Sequence, residues 1–452
     1  MDDLMYARST MALSLGFHIV FAAVGMAMPL LVTLSHRHWL KTGDPDAYRL
    51  TRAWGRGVAI IFAVGAVSGT VLSFELGLLW PGFMEHAGPI IGMPFSLEGA
   101  AFFLEAIFLG LYLYGWKRMK VRTHFWMSVA VGVCGVTSAL LVIAANGWMN
   151  SPTGFTWNGT SASDIDPWAA LMNDAWLIQS GHMIIAAFEA VAFLVLGIHS
   201  FLLLRGSKDK MHTLAIKISL AVAAVAAIAQ PLHGHFSAQS VAKRQPAKLA
   251  AMEAHFVTGP RAPIRIGGIP NEETQEVSFS IDIPGGLSFL AHDDFDAVVI
   301  GLDQFPKEEW PPVLIVHLAF QVMVGIGTML AGLGLLGLLF MRRKTLFSKR
   351  WFLWILVMVA PLGMVALEAG WVVTEVGRQP WIIYGILKTK DAVTPVPGQV
   401  IHFYMFVLLY GFLAIATAWM WRRQVLAARG IKSPDKAMSE WAGVTYAPDD
   451  EP

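Results

Sequence analysis

The chain has 452 residues and a net charge of +1; 55% of its residues are hydrophobic and 14% charged, where soluble domains carry about a quarter charged. That balance excludes an ordinary soluble enzyme and makes a lipid bilayer the expected solvent. The near-neutral charge, with only short basic clusters, excludes nucleic acid as a partner.

Apolar runs of spanning length fall at 11–35, 57–79, 95–116, 125–146, 177–204, 214–232, 312–340, 352–374 and 400–421, each near the ~20 residues that cross a bilayer. They predict an all-α integral membrane protein of about nine transmembrane helices. The segment ahead of the first run, MDDLMYARST, lacks a basic leader and a small-residue cleavage site, so that run is expected to remain as a helix. Four regions follow: helices 1–6 over 1–232, a long connection over 233–311, helices 7–9 over 312–421, and a tail over 422–452. The connection is rich in Gly, Pro and charge, with GGIP and IPGG turn signals. A link of that length is usually functional or disordered, and KLAAMEAHF at 248–256 reads as a short amphipathic helix within it. The stretch 150–176 reads as a loop, and the polar tail from 432 as disordered.

A polar group inside an apolar helix is costly and is a functional hypothesis by default. In the first run His18 is either a metal ligand or a hydrogen-bonded core histidine. In the third, Glu98 and Glu105 lie seven residues apart on one helical face, as a proton path or as an ion-pair site. The fourth run holds Cys134, the only cysteine; no internal disulfide and no Cys/His zinc pattern is possible, so a cofactor must use His, Met or carboxylate ligands. In the fifth, His182 follows Gly181, which permits close approach of a flat ring or a helix, and shares a face with Glu189. In the seventh, Met323 is a gap filler or, paired with a histidine, a haem thioether ligand. In the eighth, Glu368, Trp371 and Glu375 share a face, and Arg378 follows within a turn, to hold a carboxylate or to complete an aromatic belt with an ion pair. His36, His38, His233, His235, His317 and His402 sit at helix ends, where solvated or interfacial placement is expected.

Lys and Arg orient the spans. One alternate set of connections carries 23 of the 33, the opposite set 9. The rich set is expected to be cytoplasmic, which places the N-terminus outside, the C-terminus inside and the long connection outside.

Four segments in order carry a family resemblance: SLEGAAFFLEAIF at 97–109, ANGWM at 145–149, KLAAMEAHF at 248–256 and GWVVTEVGRQPW at 370–381. The chain resembles subunit I of cytochrome bd-type quinol oxidases along most of its length, and its short connection resembles the branch that includes cyanide-insensitive oxidases. The resemblance implies a quinol:O2 oxidoreductase of the bacterial cytoplasmic membrane that builds a proton gradient without pumping. It implies a low-spin haem b, a high-spin haem b and haem d, the last replaced by haem b in some members. It implies His182 and Met323 as low-spin haem ligands, and His18 and Glu375 as ligands at the two-haem oxygen site, with the assignment between those two haems open. Glu98, Glu105 and Ser138 match the proton path, Lys248 and Glu253 the quinol-oxidising residues, and Arg8, Asn146, Trp371 and Arg378 residues lining the haems. It implies a second large subunit and, in some members, a small single-helix subunit. Gln321 stands where family members often have Arg, which predicts a lower low-spin potential.

Rival readings are a haem-free secondary transporter, which would show inverted repeats, and a di-haem membrane anchor of a dehydrogenase, which would need paired histidines. A copper oxidase would need several clustered intramembrane histidines, and only His18 and His182 are deeply placed.

Overall fold

The computed structural model describes residues 2–428 and 431–444. Asp2 caps the first helix, α1 (Asp3–Thr42), by accepting from the Met5 amide; Gly43, at φ 70°, ends it, and Asp44 with Pro45 starts α2 (Pro45–Leu79). A left-handed glycine followed by an acidic cap and an N1 proline is a stop and a start in adjacent residues. The chain continues through α3 (Pro81–Tyr114), α4 (Val121–Asn150), a short hairpin of β1 (Thr156–Trp157) and β2 (Ala162–Ser163), α5 (Pro167–Leu171), α6 (Trp176–Leu204) and α7 (Lys210–Arg244).

The long connection then folds compactly. It holds α8 (Pro246–Met252), β3 (Gly259–Pro260), a hairpin of β4 (Ile264–Asn271) and β5 (Glu276–Ile283), α9 (Gly286–His292) and β6 (Val298–Val299), which pairs with β3. After it come α10 (Val313–Arg342), α11 (Arg350–Val359), α12 (Leu362–Val376), the pair β7 (Trp381–Ile383) and β8 (Leu387–Lys388), α13 (Thr389–Ala392), α14 (Gln399–Ala428) and α15 (Lys436–Ala442).

Among the described residues nine helices are long and apolar enough to cross a membrane, α11 and α12 counting together as the eighth. The expected number of spans holds, but many helices overrun the expected bounds, and three departures shape the interior. α3 begins at Pro81 rather than near 95 and carries Pro89 and Pro94 inside it. α7 runs to Arg244, twelve residues past the expected end at 232. Its polar last turns fail a hydropathy criterion, yet Val241 and Ala242 pack on Leu249, Leu287 and Val299 of the connection, and that packing carries the helix onward. The eighth span breaks at Ala360–Pro361, where proline removes a helix hydrogen bond. The tail also differs from the expected disorder. Asp435 caps α15 and pairs with Lys117 at 2.9 Å, and Trp441 donates to the Met119 carbonyl at 2.8 Å. Residues 445–452 lie outside the described residues.

Two helix groups frame the interior. α1 packs against α2, α4, α6 and α14, and α3 packs on α4. The second group closes on itself: α6 touches α7 and α12, and α10 touches the same two. α8 and β4 of the connection rest on α10, so the connection caps one end of this ring.

Candidate functional site

Lys248 lies on α8 and is only 5% exposed. Its Nζ donates to Asn150 Oδ1 at 2.8 Å and to the Thr374 carbonyl at 3.2 Å. Asn150 Nδ2 donates to the Asn146 carbonyl at 2.9 Å and to Asn146 Oδ1 at 3.2 Å. Asn146 donates to Glu375 Oε1 at 2.6 Å, and Arg378 donates to Glu375 Oε2 at 2.6 Å. Gln179 also donates to Asn146 Oδ1, at 2.5 Å. The result is a continuous polar chain from α8, through the end of α4, to α12. Four of the expected residues, Lys248, Asn146, Glu375 and Arg378, meet in it. Asn150 and Gln179 are its missed members; amides in ordinary helix-end positions give no sequence signal until their partners are known.

Burial shifts the acids and bases of the connection. It drives the Lys248 ammonium well below its usual range, with nearby Arg378 adding repulsion and Glu375 opposing it. It raises the Glu253 carboxyl to about 7, against the favourable Arg265 amide and charge. Glu253 is 1% exposed, and Arg265 Nη1 donates to the carbonyls of Glu253 and Ala254 at 3.2 and 2.7 Å. No hydrogen bond or ion pair joins Lys248 to Glu253 among the described residues.

The helix ring places His182 and Met323 on facing elements. His182 Nε2 lies 3.1 Å from Gln230 Nε2, and its Nδ1 is buried without a partner. Gly181 matters for what it lacks: a Cβ there would sit 2.5 Å from His233 Nε2. His233 consequently lies beside His182, the rings tilted by 44° with centroids 5.9 Å apart. Met323, on α10, turns its sulfur toward α12, where a Cβ on Gly370 would lie 3.1 Å from Sδ. Trp371 packs with Leu15, Ile19, Ala187 and Leu367 between α1, α6 and α12.

In the first helix group His18 Nδ1 is 2.9 Å from Ser68 Oγ. One turn before it, Ser14 donates to Glu75, a fully buried carboxylate on α2. Glu75 is a missed candidate, although an acid inside the 57–79 run carries the same signal that marks Glu98. Ser138 on α4 donates to Glu98 Oε1 at 2.8 Å, and Glu105 lies against Gly135 of α4, its carboxylate oxygens 3.5 Å from where a Cβ would stand. Glu98, Ser138 and Glu105 are thus brought together on the α3–α4 seam. Arg8 is half-buried on α1 and has no hydrogen bond or ion pair among the described residues.

Several histidines depart from the expected solvated or interfacial placement. His36 is fully buried among Trp39, Tyr112, Trp116 and His124, because α1 continues through position 42. His233 is half-buried because α7 continues past it. His317 is fully buried, with Nδ1 2.8 Å from the Met252 carbonyl and Nε2 3.0 Å from that of Gly267. Gln321 sits one turn on and clasps the same hairpin, donating to the Arg265 carbonyl at 2.7 Å and accepting from the Gly267 amide at 2.9 Å. His38 and His235 do lie at the surface, beside Asp44 and Asp293.

Among the described residues, nine apolar spans with imidazoles and carboxylates buried between them define a multi-pass membrane protein that carries titratable side chains in its interior. Residues 6–428 match the family model described as cytochrome bd terminal oxidase subunit I. The chain is 35% identical over 427 residues to the putative cytochrome bd menaquinol oxidase subunit I of Bacillus subtilis (strain 168), covering 93% of this chain and 96% of that one. It is 30% identical to the cytochrome bd ubiquinol oxidase subunit 1 of the same organism, over 87% of each. To the cytochrome bd-II ubiquinol oxidase subunit 1 of Escherichia coli (strain K12) it is 27% identical, over 93% and 96%. The solved structure of bd oxidase from Geobacillus thermodenitrificans superposes with a TM-score of 0.90 at 36% identity, covering 94% of this chain and 99% of that chain. The chain belongs to the cytochrome bd terminal oxidase subunit I family, and is a multi-pass protein of the bacterial inner membrane.

The family implies haem, and the residues present fit it. Arg378 is 2% exposed, and its Nε and Nη1 have no partner among the described residues; acceptors such as haem propionates would satisfy them. His182 Nδ1 and Glu368 Oε1 are likewise buried and unpartnered among the described residues, whereas buried polar atoms in proteins are normally satisfied.

Proposed function

We propose that this chain is the haem-bearing subunit of a terminal oxidase that oxidises a quinol and reduces O2 to water. The observation that carries the reading is the hydrogen-bonded chain from Lys248 to Glu375 and Arg378. It joins a residue of the capping connection to the carboxylate expected to serve as a ligand in the bundle.

His182 and Met323 would hold a low-spin haem b; His18 and Glu375 would serve the high-spin haem b and the haem d, or a further haem b in its place. Arg8, Asn146, Trp371 and Arg378 would line these groups. Bound haem supplies one-electron transfer and oxygen chemistry. The chain's own residues supply the rest. Lys248, whose ammonium burial disfavours, and Glu253, raised to about 7, are placed to accept the protons that a quinol loses on oxidation. The Lys/Arg asymmetry supports an outside position for this connection, so those protons are released outside. Glu105, Glu98 and Ser138 form the proton path toward the oxygen site from the cytoplasmic side. Uptake inside and release outside separate charge without a pump. Glu375 is fixed on both oxygens by Asn146 and Arg378, which orients it for a ligand. A second large subunit, and in some assemblies a single-helix subunit, would complete the complex.

Reduced-minus-oxidised spectra of the purified membrane complex, with pyridine haemochrome quantification, test this. The expected result is b-type bands, with or without a red-shifted chlorin band, at about three haems per chain. A folded preparation without a Soret band overturns it.

A further inference from the structure

At the end of the bundle opposite the long connection, the tail crosses the start of α2. Between them lies a cavity of about 330 Å³, lined by Tyr48, Arg52, Arg56, Lys432, Ser433 and Asp435 among others, a size within the range of small-ligand sites. Its charge is unbalanced. Arg52, Arg56 and Lys432 have no carboxylate within 4 Å among the described residues, and Arg52 only lies over the Trp116 ring at 4.7 Å. The cavity's one acid, Asp435, is already engaged by Lys117 through both oxygens, at 2.9 and 3.1 Å. Neighbouring Arg49 is not part of this excess, because Asp46 and Asp209 hold it at 3.1 and 2.7 Å.

Three uncompensated cations around one concavity form a site for an oxyanion, and guanidinium forks suit phosphate. The level of the cavity identifies the source. Arg56 immediately precedes the apolar run of α2. α14 is tied to α2 here by Gln424 donating to the Ala53 carbonyl at 3.3 Å. One turn and two turns further into the membrane, α14 exposes Trp419 and Ile415, and Arg423 lies over the Trp419 ring at 4.3 Å. An exposed tryptophan with arginines on its polar side marks the headgroup level of a bilayer, and apolar side chains below it face acyl chains.

We propose that Arg52, Arg56 and Lys432 form a binding site for the phosphate of an anionic membrane phospholipid, seated between α2 and the tail. The lipid ties the segment 431–444 to the bundle at the membrane surface. Basic pockets at the ends of membrane helices bind such headgroups, and each cation contributes comparably.

The test uses the purified membrane complex, delipidated and placed in zwitterionic phosphatidylcholine nanodiscs with graded phosphatidylglycerol. Bound phosphatidylglycerol is counted by native mass spectrometry for the parent and for the Arg56→Gln/Lys432→Gln double variant. Both side chains are exposed, so the fold is not at stake, and Arg56→Lys serves as the charge-preserving control. The expected result is one phosphatidylglycerol held by the parent and by Arg56→Lys, with affinity lowered about 30-fold in the double variant. Equal retention by parent and double variant overturns the site. Millimolar inorganic phosphate displacing the lipid from the parent assigns the site to free phosphate and overturns the lipid assignment.

Discussion

Glu253→Gln separates a catalytic base from a buried structural acid. Glu253 is 1% exposed, and burial raises its carboxyl from 4.5 to about 7. A quinol base must be ionised to accept a proton, so activity through Glu253 falls about tenfold per pH unit below 7 and levels off above it. The amide has the same shape and no basic oxygen. Quinol-dependent oxygen uptake is expected to drop by roughly 10²–10⁴-fold, the usual contribution of a positioned base, equivalent to about 3–5 kcal/mol of barrier. The acid limb near pH 7 disappears with it. Stability moves the other way. Because the folded pKa is raised, the folded state binds the proton more tightly than the unfolded chain. The stabilisation is fully present below about 4.5 and is lost as pH rises through about 7, a swing of about 3 kcal/mol. The glutamine cannot ionise, so thermal unfolding of the variant loses this pH dependence and is no less stable than the parent at pH 8. Oxygen uptake that keeps its level and its limb near pH 7 refutes Glu253 as the base.

Met323→Leu conserves volume and should leave folding within about 1.5 kcal/mol, while abolishing the low-spin band in reduced-minus-oxidised spectra; an unaltered band removes Met323 as a ligand. Gly181→Ala places a methyl 2.5 Å from His233 Nε2, and should destabilise the α6–α7 contact by about 1–3 kcal/mol in thermal unfolding; no change would mean the ring moves aside freely. Ser138→Ala removes the donor to Glu98 Oε1 and should slow oxygen uptake without changing haem content, as should Glu105→Gln; full turnover in Glu105→Gln sinks the path. Asn146→Ala frees one oxygen of Glu375 and removes the Oδ1 acceptor of Asn150 and Gln179, while the Asn150 bond to the backbone carbonyl of position 146 stays. It should perturb the spectrum of the oxygen site by weakening an orienting bond worth about 1.5–3 kcal/mol, and an unchanged spectrum would deny Asn146 that role.

The sequence by itself determined the solvent, the number of spans and most of the chemical inventory. Long apolar runs are decisive in lipid because each span must satisfy its own backbone, and a carboxylate or histidine inside one stands out against a background of Leu, Val and Ala. Gly181 and the GWVVTEVGRQPW run were visible for the same reason. What only the tertiary structure decided were the relations between elements. α7 extends through polar residues 233–244 because the connection packs on it, which hydropathy along one strand of sequence cannot register. His36 and His317 read as helix-end histidines until packing buried them, since burial is a property of neighbours and not of position. Asn150 and Gln179 gave no signal, because an amide becomes a relay only when Lys248, Asn146 and Glu375, drawn from three separate segments, are brought within hydrogen-bond distance of one another.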